Sequence, residues 1–342
     1  MTNSSKSMSL LPWLILVAVI CILPFVTRSP YVISIMIFVA LYGVLAIGMG
    51  VLMGKAGLFS LVAPTWFGIG AYTAGILSTR GLTSPGLSIV IAAAFTALIA
   101  TIIGAPVLRL KGLYLACATF GILIIAQIAF VQLGDLTGGH SGLLGVPSLK
   151  ILGFRLTNDQ HYYFLSWALC IGCMLFLSNI INSRVGRAII SSHDSETASA
   201  SLGVNIPKFR LQIFVLTAAM ASIAGSILCF YLRFVEPGIF GFDMLVEIIL
   251  MAIIGGMASV WGPLLGGLVI TWLHEILKVL LGRFFPIMTG EVTAVFFGII
   301  IIIVLIFVPS GLLGWVHQLF SFGRKTYKRI QSHRSGYANA KQ

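Results

Sequence analysis

Charged side chains set inside apolar stretches are the first residues to weigh for chemistry, and here Glu247, Glu275 and Lys278 stand out. A charge in hydrocarbon is costly and ordinarily faces a bundle interior, a wet cavity or an opposite charge. Glu275 and Lys278 stand three residues apart, the spacing at which helical side chains meet, so they can satisfy each other. Glu247 has no partner at that spacing and is the better candidate for lining a solute path. Other chemistries lack their parts. Gly54-Lys55 resembles the end of a phosphate-binding loop, but Met49 stands where the first glycine belongs and Ala56 where the hydroxyl residue belongs. Without that cradle and its magnesium ligand no ATP hydrolysis by this chain is expected. Cys170 and Cys173 have redox or zinc spacing, yet thiolates are costly in hydrocarbon and no histidine or second cysteine pair stands beside them. They read as helix-packing residues. The histidines at 140, 161, 193, 274, 317 and 333 are scattered, so no metal, no cofactor and no catalytic site are expected.

Composition says what surrounds these residues. The chain has 342 residues, 58% hydrophobic and 9% charged, with mean hydropathy +1.06. Soluble domains carry about 25% charged residues. So little charge cannot clothe a globular surface, and most of the surface must face lipid. The net charge of +12 is concentrated in the C-terminal tail at Arg324, Lys325, Lys328, Arg329, Arg334 and Lys341. After a long apolar stretch such a tail suits an anionic membrane surface, and without interleaved aromatics it does not suit nucleic acid. Cys21, Cys117, Cys170, Cys173 and Cys229 all lie in apolar runs, so no disulfide framework is implied. Lys6 followed by the apolar run Leu10–Leu23 resembles a signal peptide, but no small-residue cleavage site precedes Thr27-Arg28-Ser29, which predicts an uncleaved first span. The sequon Asn3-Ser4-Ser5 falls on the same predicted inner tail and is discounted.

A hydrocarbon core of about 30 Å needs about 20 apolar residues per helix. The sequence predicts spans at 10–27, 31–53, 58–79, 86–108, 113–133, 161–182, 212–232, 244–257, 262–281 and 292–309. Residues 244–281 could form one long helix, but Gly255-Gly256-Met257-Ala258-Ser259-Val260-Trp261-Gly262-Pro263 predicts a break. With the break, ten spans place both termini and the 183–211 loop on the cytoplasmic side. Lys6, Lys55, Arg109, Lys111, Arg184, Arg187, Lys208, Arg210 and the six tail residues then lie inside, against Arg28, Arg80, Lys150, Arg155, Arg233 and Arg283 outside. The expected fold is an all-α polytopic membrane protein. It is a bundle of about ten transmembrane helices, some broken or short, with a cytoplasmic coupling loop. Its parts are an inner tail at 1–9, a permease domain at 10–309 containing the 183–211 loop, and a basic inner tail at 310–342.

The polar stretch from Ser183 to Lys208 is the longest on the inner side. Ser195 to Leu202 fits a short helix, with Ser191 to Asp194 as a capping box ahead of it and Gly203 ending it. Such a helix suits docking into a groove on a cytoplasmic partner; the simpler reading is a solvated loop.

The spacing Gly186-Arg187-Ala188 … Asp194-x-Glu196-x-Ala198 … Leu202-Gly203-Val204-Asn205 resembles the cytoplasmic loop of the LivM-type permeases of branched-chain amino acid ABC importers. Gly57-x-x-Ser60-Leu61 … Phe67-Gly68-Ile69-Gly70-Ala71-Tyr72 resembles that family's early signature. Arg109 to Ala116, Thr137-Gly138-Gly139 … Gly145-Val146-Pro147, and Gly255-Gly256-Met257 … Gly262-Pro263-Leu264-Leu265-Gly266 follow in the family's order, so the likeness covers roughly residues 30–310. The resemblance implies that Gly186, Arg187, Ala188, Asp194, Glu196, Ala198, Leu202 and Gly203 dock an ATPase. It implies as partners a second permease subunit in a heterodimer, two cytoplasmic ATP-binding subunits and a periplasmic or lipid-anchored solute-binding protein, all at a bacterial inner membrane. The chain departs from the family at Leu58, Val62 and Ala63, which replace Gln, Gly and His, and at His193, which replaces Arg.

Candidates for the translocation path are Ser60, Gly68, Gly70, Tyr72, Glu247, Gly255 and Gly256. The stretch Gly57–Gly75 is glycine-rich and holds Pro64, which predicts an interrupted helix of the kind tolerated where it lines a cavity. Close packing through small residues is the simpler reading of each glycine, as in Gly50-x-x-x-Gly54 and Gly262-x-x-x-Gly266. On the outer side, Arg233, Glu236 and Asp243 flank Pro237-Gly238, a place for a delivery protein to dock. The expected function is import of a small solute, branched-chain amino acids first, with another polar solute such as urea as the alternative. A self-sufficient secondary transporter or channel would need more buried coupling carboxylates than this chain has.

Overall fold

The computed structural model describes residues 10–27, 29–151, 154–257, 259–284 and 298–299. Both predicted inner tails, Arg28, Ala258 and nearly all of the predicted span 292–309 lie outside these residues. The helices are α1 (Leu10–Val26), α2 (Pro30–Gly54), α3 (Ala63–Thr79), α4 (Pro85–Val107), α5 (Leu113–Gln132), α6 (Gly134–Thr137), α7 (Asp159–Asn182), α8 (Arg184–Asp194), α9 (Glu196–Ser201), α10 (Ile206–Leu232), α11 (Phe242–Gly255) and α12 (Trp261–Phe284). Proline in the first turn opens α2, α3, α4 and α10, where its missing N–H removes no helical bond.

Six of these helices, α2, α4, α5, α7, α10 and α12, are long and apolar enough to cross a membrane. Nine of the ten predicted spans have a helix in the described residues, but α1, α3 and α11 fall short. At 1.5 Å per residue, the 17 residues of α3 reach about 26 Å and the 14 of α11 about 21 Å. The predicted helical start at Leu58 is corrected: residues 57–62 are not helical, and α3 begins at Ala63.

The centre is built from α2 and α10, each 78% buried over its most apolar window. Over those windows both are apolar on every face, as buried helices are. α3 and α4 pack on α10, α7 and α12 on α2, and α11 on α12. Helices in lipid gain little from burying apolar surface, so close backbone approach and hydrogen bonds must hold them. A Cβ at Gly70 would stand 2.2 Å from the Ser222 carbonyl oxygen, and one at Gly225 2.0 Å from that of Phe67, so α3 and α10 touch backbone to backbone. Thr96 Oγ1 donates to Ser222 Oγ at 2.9 Å, adding α4 to that seam.

The break predicted at Gly255–Pro263 is present. Gly256 has φ +95, and Ser259 Oγ accepts the Gly262 N–H at 3.2 Å where α12 begins. α11 and α12 form a tight antiparallel hairpin in which a Cβ at Gly255 would stand 1.9 Å from the Gly262 oxygen, and one at Gly266 1.9 Å from that of Met251. At the opposite end of the bundle, β1 (Leu143–Leu144) pairs antiparallel with β4 (Phe234–Val235), and β2 (Lys150–Ile151) with β3 (Phe154–Arg155). The first pair ties the connection after α5 to the exit of α10.

Gly266→Val is expected to destabilise the protein by about 3 kcal/mol or more, because overpacking against a fixed carbonyl has no cheap relief. Gly121→Val on α5, where nothing stands within 4 Å, is expected to leave stability unchanged. Thermal melting in detergent compares the two.

Candidate functional site

The predicted docking residues gather in one helical hairpin. α8 was not anticipated: the stretch expected as loop folds into an 11-residue helix that buries Gly186, Ile189 and Ser192 and exposes Arg184, Arg187 and His193. Ser183 caps it by accepting the Gly186 N–H at 3.3 Å. Gly186 is required, because a Cβ there would stand 2.1 Å from the Ile181 oxygen. Arg187 donates to the Asn182 oxygen at 3.2 Å, and Ala188 is half-buried beside it.

The expected capping box is corrected. Ser191 to Asp194 form the last turn of α8, where Ser191 Oγ donates to the Ala188 oxygen at 3.1 Å. The cap of α9 is Ser195, whose Oγ accepts the Ala198 N–H at 3.4 Å. At the other end the Gly203 N–H bonds the Ala200 oxygen at 3.0 Å, and the Val204 N–H bonds that of Ser199 at 3.2 Å. Those two bonds are a Schellman ending, and Gly203, at φ +80, is the residue that permits it. The ending leaves Ala198 exposed and Leu202 84% exposed on the outer face of the hairpin.

Glu196 fastens this hairpin to the bundle. Its carboxylate accepts from Lys111 Nζ at 2.8 Å and Arg210 Nη1 at 3.2 Å. The turn before α5 and the first turns of α10 therefore meet on one side chain. The Lys111 hydrogen bond, with Arg210 beside it, holds the Glu196 carboxyl below its usual range. The sequence marked Lys111 and Arg210 only as inward-facing charges; their pairing depends on tertiary placement. The hairpin also carries His193 onto Gly57, where an added Cβ would stand 2.3 Å from Nδ1.

Gly57 opens the non-helical segment that leads into α3. Ala56, Leu58, Ser60 and Val62 are almost fully buried. The Leu61 N–H is satisfied by Thr119 Oγ1 of α5 at 3.0 Å, a partner marked in the sequence only by a hydroxyl inside an apolar helix. No side chain caps α3, and the hydroxyls of Ser60 and Thr65 have no hydrogen-bond partner among the described residues. Ser60, Val62, Ala63 and Trp66 enclose a cavity of about 20 Å³ with Leu45, Met49, Leu52 and Thr217. That is room for a single water molecule.

The other path candidates lie elsewhere. Gly68 faces Phe130 and Phe240, Gly70 sits in the α3–α10 seam, and Tyr72 stacks on Phe130 at 4.8 Å. Gly255 and Gly256 form the α11–α12 turn. Glu247, without a partner at helical spacing, has one across that hairpin: His274 Nδ1 lies 2.8 Å from its Oε1. Glu275 accepts the Tyr31 hydroxyl and makes no ion pair with Lys278. Arg233, Glu236 and Asp243 are exposed at the far end, with Arg233 at φ +55 closing α10. Among the described residues no cluster of metal-ligating side chains occurs.

Apolar helices long enough to cross a membrane, a short helix entered through a non-helical segment, and a polar hairpin at one end are those of a multi-pass membrane protein. The family model for the permease component of branched-chain amino acid transport systems matches residues 31–305. The chain belongs to that family. The high-affinity branched-chain amino acid permease LivM of Escherichia coli is 24% identical over 296 residues, covering 80% of this chain and 68% of the relative. BraD of Pseudomonas aeruginosa and LivH of Escherichia coli are each 27% identical, over 80% of this chain and 91% of theirs. No solved structure matches.

Because Glu196 has a folded pKa below its unfolded value, its contribution is full above the usual carboxylate pKa and fades as pH falls through the lowered one. Glu196→Gln is expected to reduce hydrogen-exchange protection in 196–203 at pH 7 by about two- to fivefold, the range of exposed pairs. The difference from wild type should vanish well below pH 4.

Proposed function

We propose that this chain is a permease subunit of an ABC importer, moving a small solute across the inner membrane with energy from partner ATPases. The observation that carries the reading is the α8–α9 hairpin. It is a preformed, double-capped element that presents Leu202 to solvent and is anchored by Glu196 to the α4–α5 turn and to α10. An 84% exposed leucine flanked by Ala198 and Gly203 suits insertion into a partner's groove. In this reading Gly186, Arg187, Ala188, Asp194, Glu196, Ala198, Leu202 and Gly203 form the docking element. Both termini and the 183–211 loop are cytoplasmic, the permease domain runs from 10 to 309, and the basic tail from 310 to 342 lies on the inner membrane face. The chain has no ATPase site of its own. It pairs with a second permease subunit and with two ATP-binding subunits, and a binding protein delivers the solute at the end bearing Arg233, Glu236 and Asp243.

Branched-chain amino acids are the proposed cargo, in keeping with relatives named for that transport. The departures Val62 and Ala63 form apolar wall around the Ser60 cavity, with Leu45, Met49, Leu52 and Trp66. In a path widened beyond this one-water cavity, a wall of that chemistry favours an aliphatic side chain over a solute such as urea. Ser60, Gly68, Gly70, Tyr72, Glu247, Gly255 and Gly256 are the proposed path residues.

Leu202→Asp is expected to leave membrane insertion intact while lowering recovery of the ATPase subunits by about tenfold or more, as loss of a central anchor does. ATP-driven leucine uptake should fall with it. Full transport by the purified chain alone, without ATP, would sink the importer reading in favour of a secondary transporter or channel. Glu247→Gln is expected to alter uptake; an unchanged rate assigns the Glu247–His274 pair to structure alone.

A further inference from the structure

The sequence leaves the family pattern in two places, at Leu58, Val62 and Ala63 and at His193, and the fold sets His193 against Gly57, the residue before the first. The His193 ring lies on Gly57, with Nδ1 2.3 Å and Cε1 3.0 Å from where a Cβ would stand. Gly57 holds φ +65, a conformation side chains rarely adopt. From there the chain runs through buried Leu58 and Ser60 to Leu61, whose N–H is bonded to Thr119 of α5. Ser60 lines the cavity that α2, α3 and α10 close. His193 belongs to the last turn of α8, and two residues on Ser195 caps α9.

The hairpin thus reaches the bundle in two physically different ways. Glu196 attaches it through ion pairs, and since Lys111 is 69% exposed against 14% for Arg210, water and salt weaken the Lys111 arm of that link. The ring lies against the Gly57 backbone, where not even a Cβ fits, and atoms in contact pass displacement on because overlap rises steeply as they approach. We propose that the His193–Gly57 contact is the relay by which movement of the docking hairpin displaces segment 57–62 and opens the cavity at Ser60. Gly57 and His193 are then positioning residues of the transport step. The proposal rests on the docking reading above.

The test uses the complete transporter in proteoliposomes, with solute uptake per ATP hydrolysed as the readout. His193→Ala and Gly57→Ala are each expected to lower that ratio about fivefold or more, the scale of an ordinary coupling free energy, while ATP hydrolysis persists. The double variant should be no worse than the poorer single one, since both break one contact. Gly81→Ala is the control: Gly81 has nearly the same backbone conformation, φ +67, with nothing within 4 Å, so it measures the strain of alanine alone. Its ratio should stay at the wild-type value. His193 is exposed, so His193→Ala carries the test even where Gly57→Ala folds poorly. An unchanged ratio for His193→Ala, or a double variant whose loss is the product of the two single losses, overturns the relay. Absence of ATP-driven uptake in the wild type overturns the docking reading, and the relay with it.

Discussion

Peptide groups cannot be left unpaired in hydrocarbon, and the segment from Gly57 to Val62 is the place where this structure meets that rule under most strain. Alternate residues of this non-helical stretch, Leu58, Ser60 and Val62, are almost fully buried, so that side of it is covered by protein rather than lipid. That need accounts for α2 and α10 as central helices with long apolar, largely buried windows. It also accounts for the backbone contact at Gly70 and Gly225, which brings α10 close enough to cover the start of α3. Thr119 then reaches across from α5 to satisfy Leu61. What stays unpaired, the Ser60 and Thr65 hydroxyls, borders or adjoins the cavity, where an ordered water or a polar solute group has partners to meet.

The legible features were those with local causes. The α11–α12 break follows from three glycines and a proline in nine residues, and Gly203 ends α9 because a Schellman turn needs a left-handed residue. Features set by tertiary placement were not legible. Glu247 and His274 are 27 residues apart, and only the register of a hairpin built on Gly255, Gly262 and Gly266 brings them together. α8 was missed because its serines and glycine favour caps and turns in isolation. Packing of Ile189 and Ser192 on the bundle overrides that preference. The cap fell on Ser195 rather than Ser191 for the same reason, since once α8 forms, Ser191 lies inside it.

Membership of the family fixes the kind of protein, while the geometry fixes how unevenly the chain is held. Between α3 and α10, and between α11 and α12, the contacts are backbone to backbone, with no slack for sliding. α5 is attached differently. Thr119 holds its first half, Phe130 sits in an aromatic cluster with Tyr72 and Phe240, and the turn before it is tied to Glu196 through Lys111. These are few and separable links, and the exposed ion pair is the weakest of them.

The proposed coupling role gives that unevenness a use. If every helix were seated as α3 is on α10, displacement of the hairpin would be absorbed as strain over the whole bundle, because packed cores deform little. With a rigid centre and a lightly held α5, the same displacement concentrates where the links are few, at segment 57–62 and at the α4–α5 turn. Both places receive the hairpin directly, through His193 and through Glu196. The apolar replacements at Leu58, Val62 and Ala63 fit that arrangement. A segment that must shift within a nonpolar seat loses less when its side chains need no fixed hydrogen-bond partners, and Ser60 is left to present the one side-chain hydroxyl of residues 57–63 to the cavity.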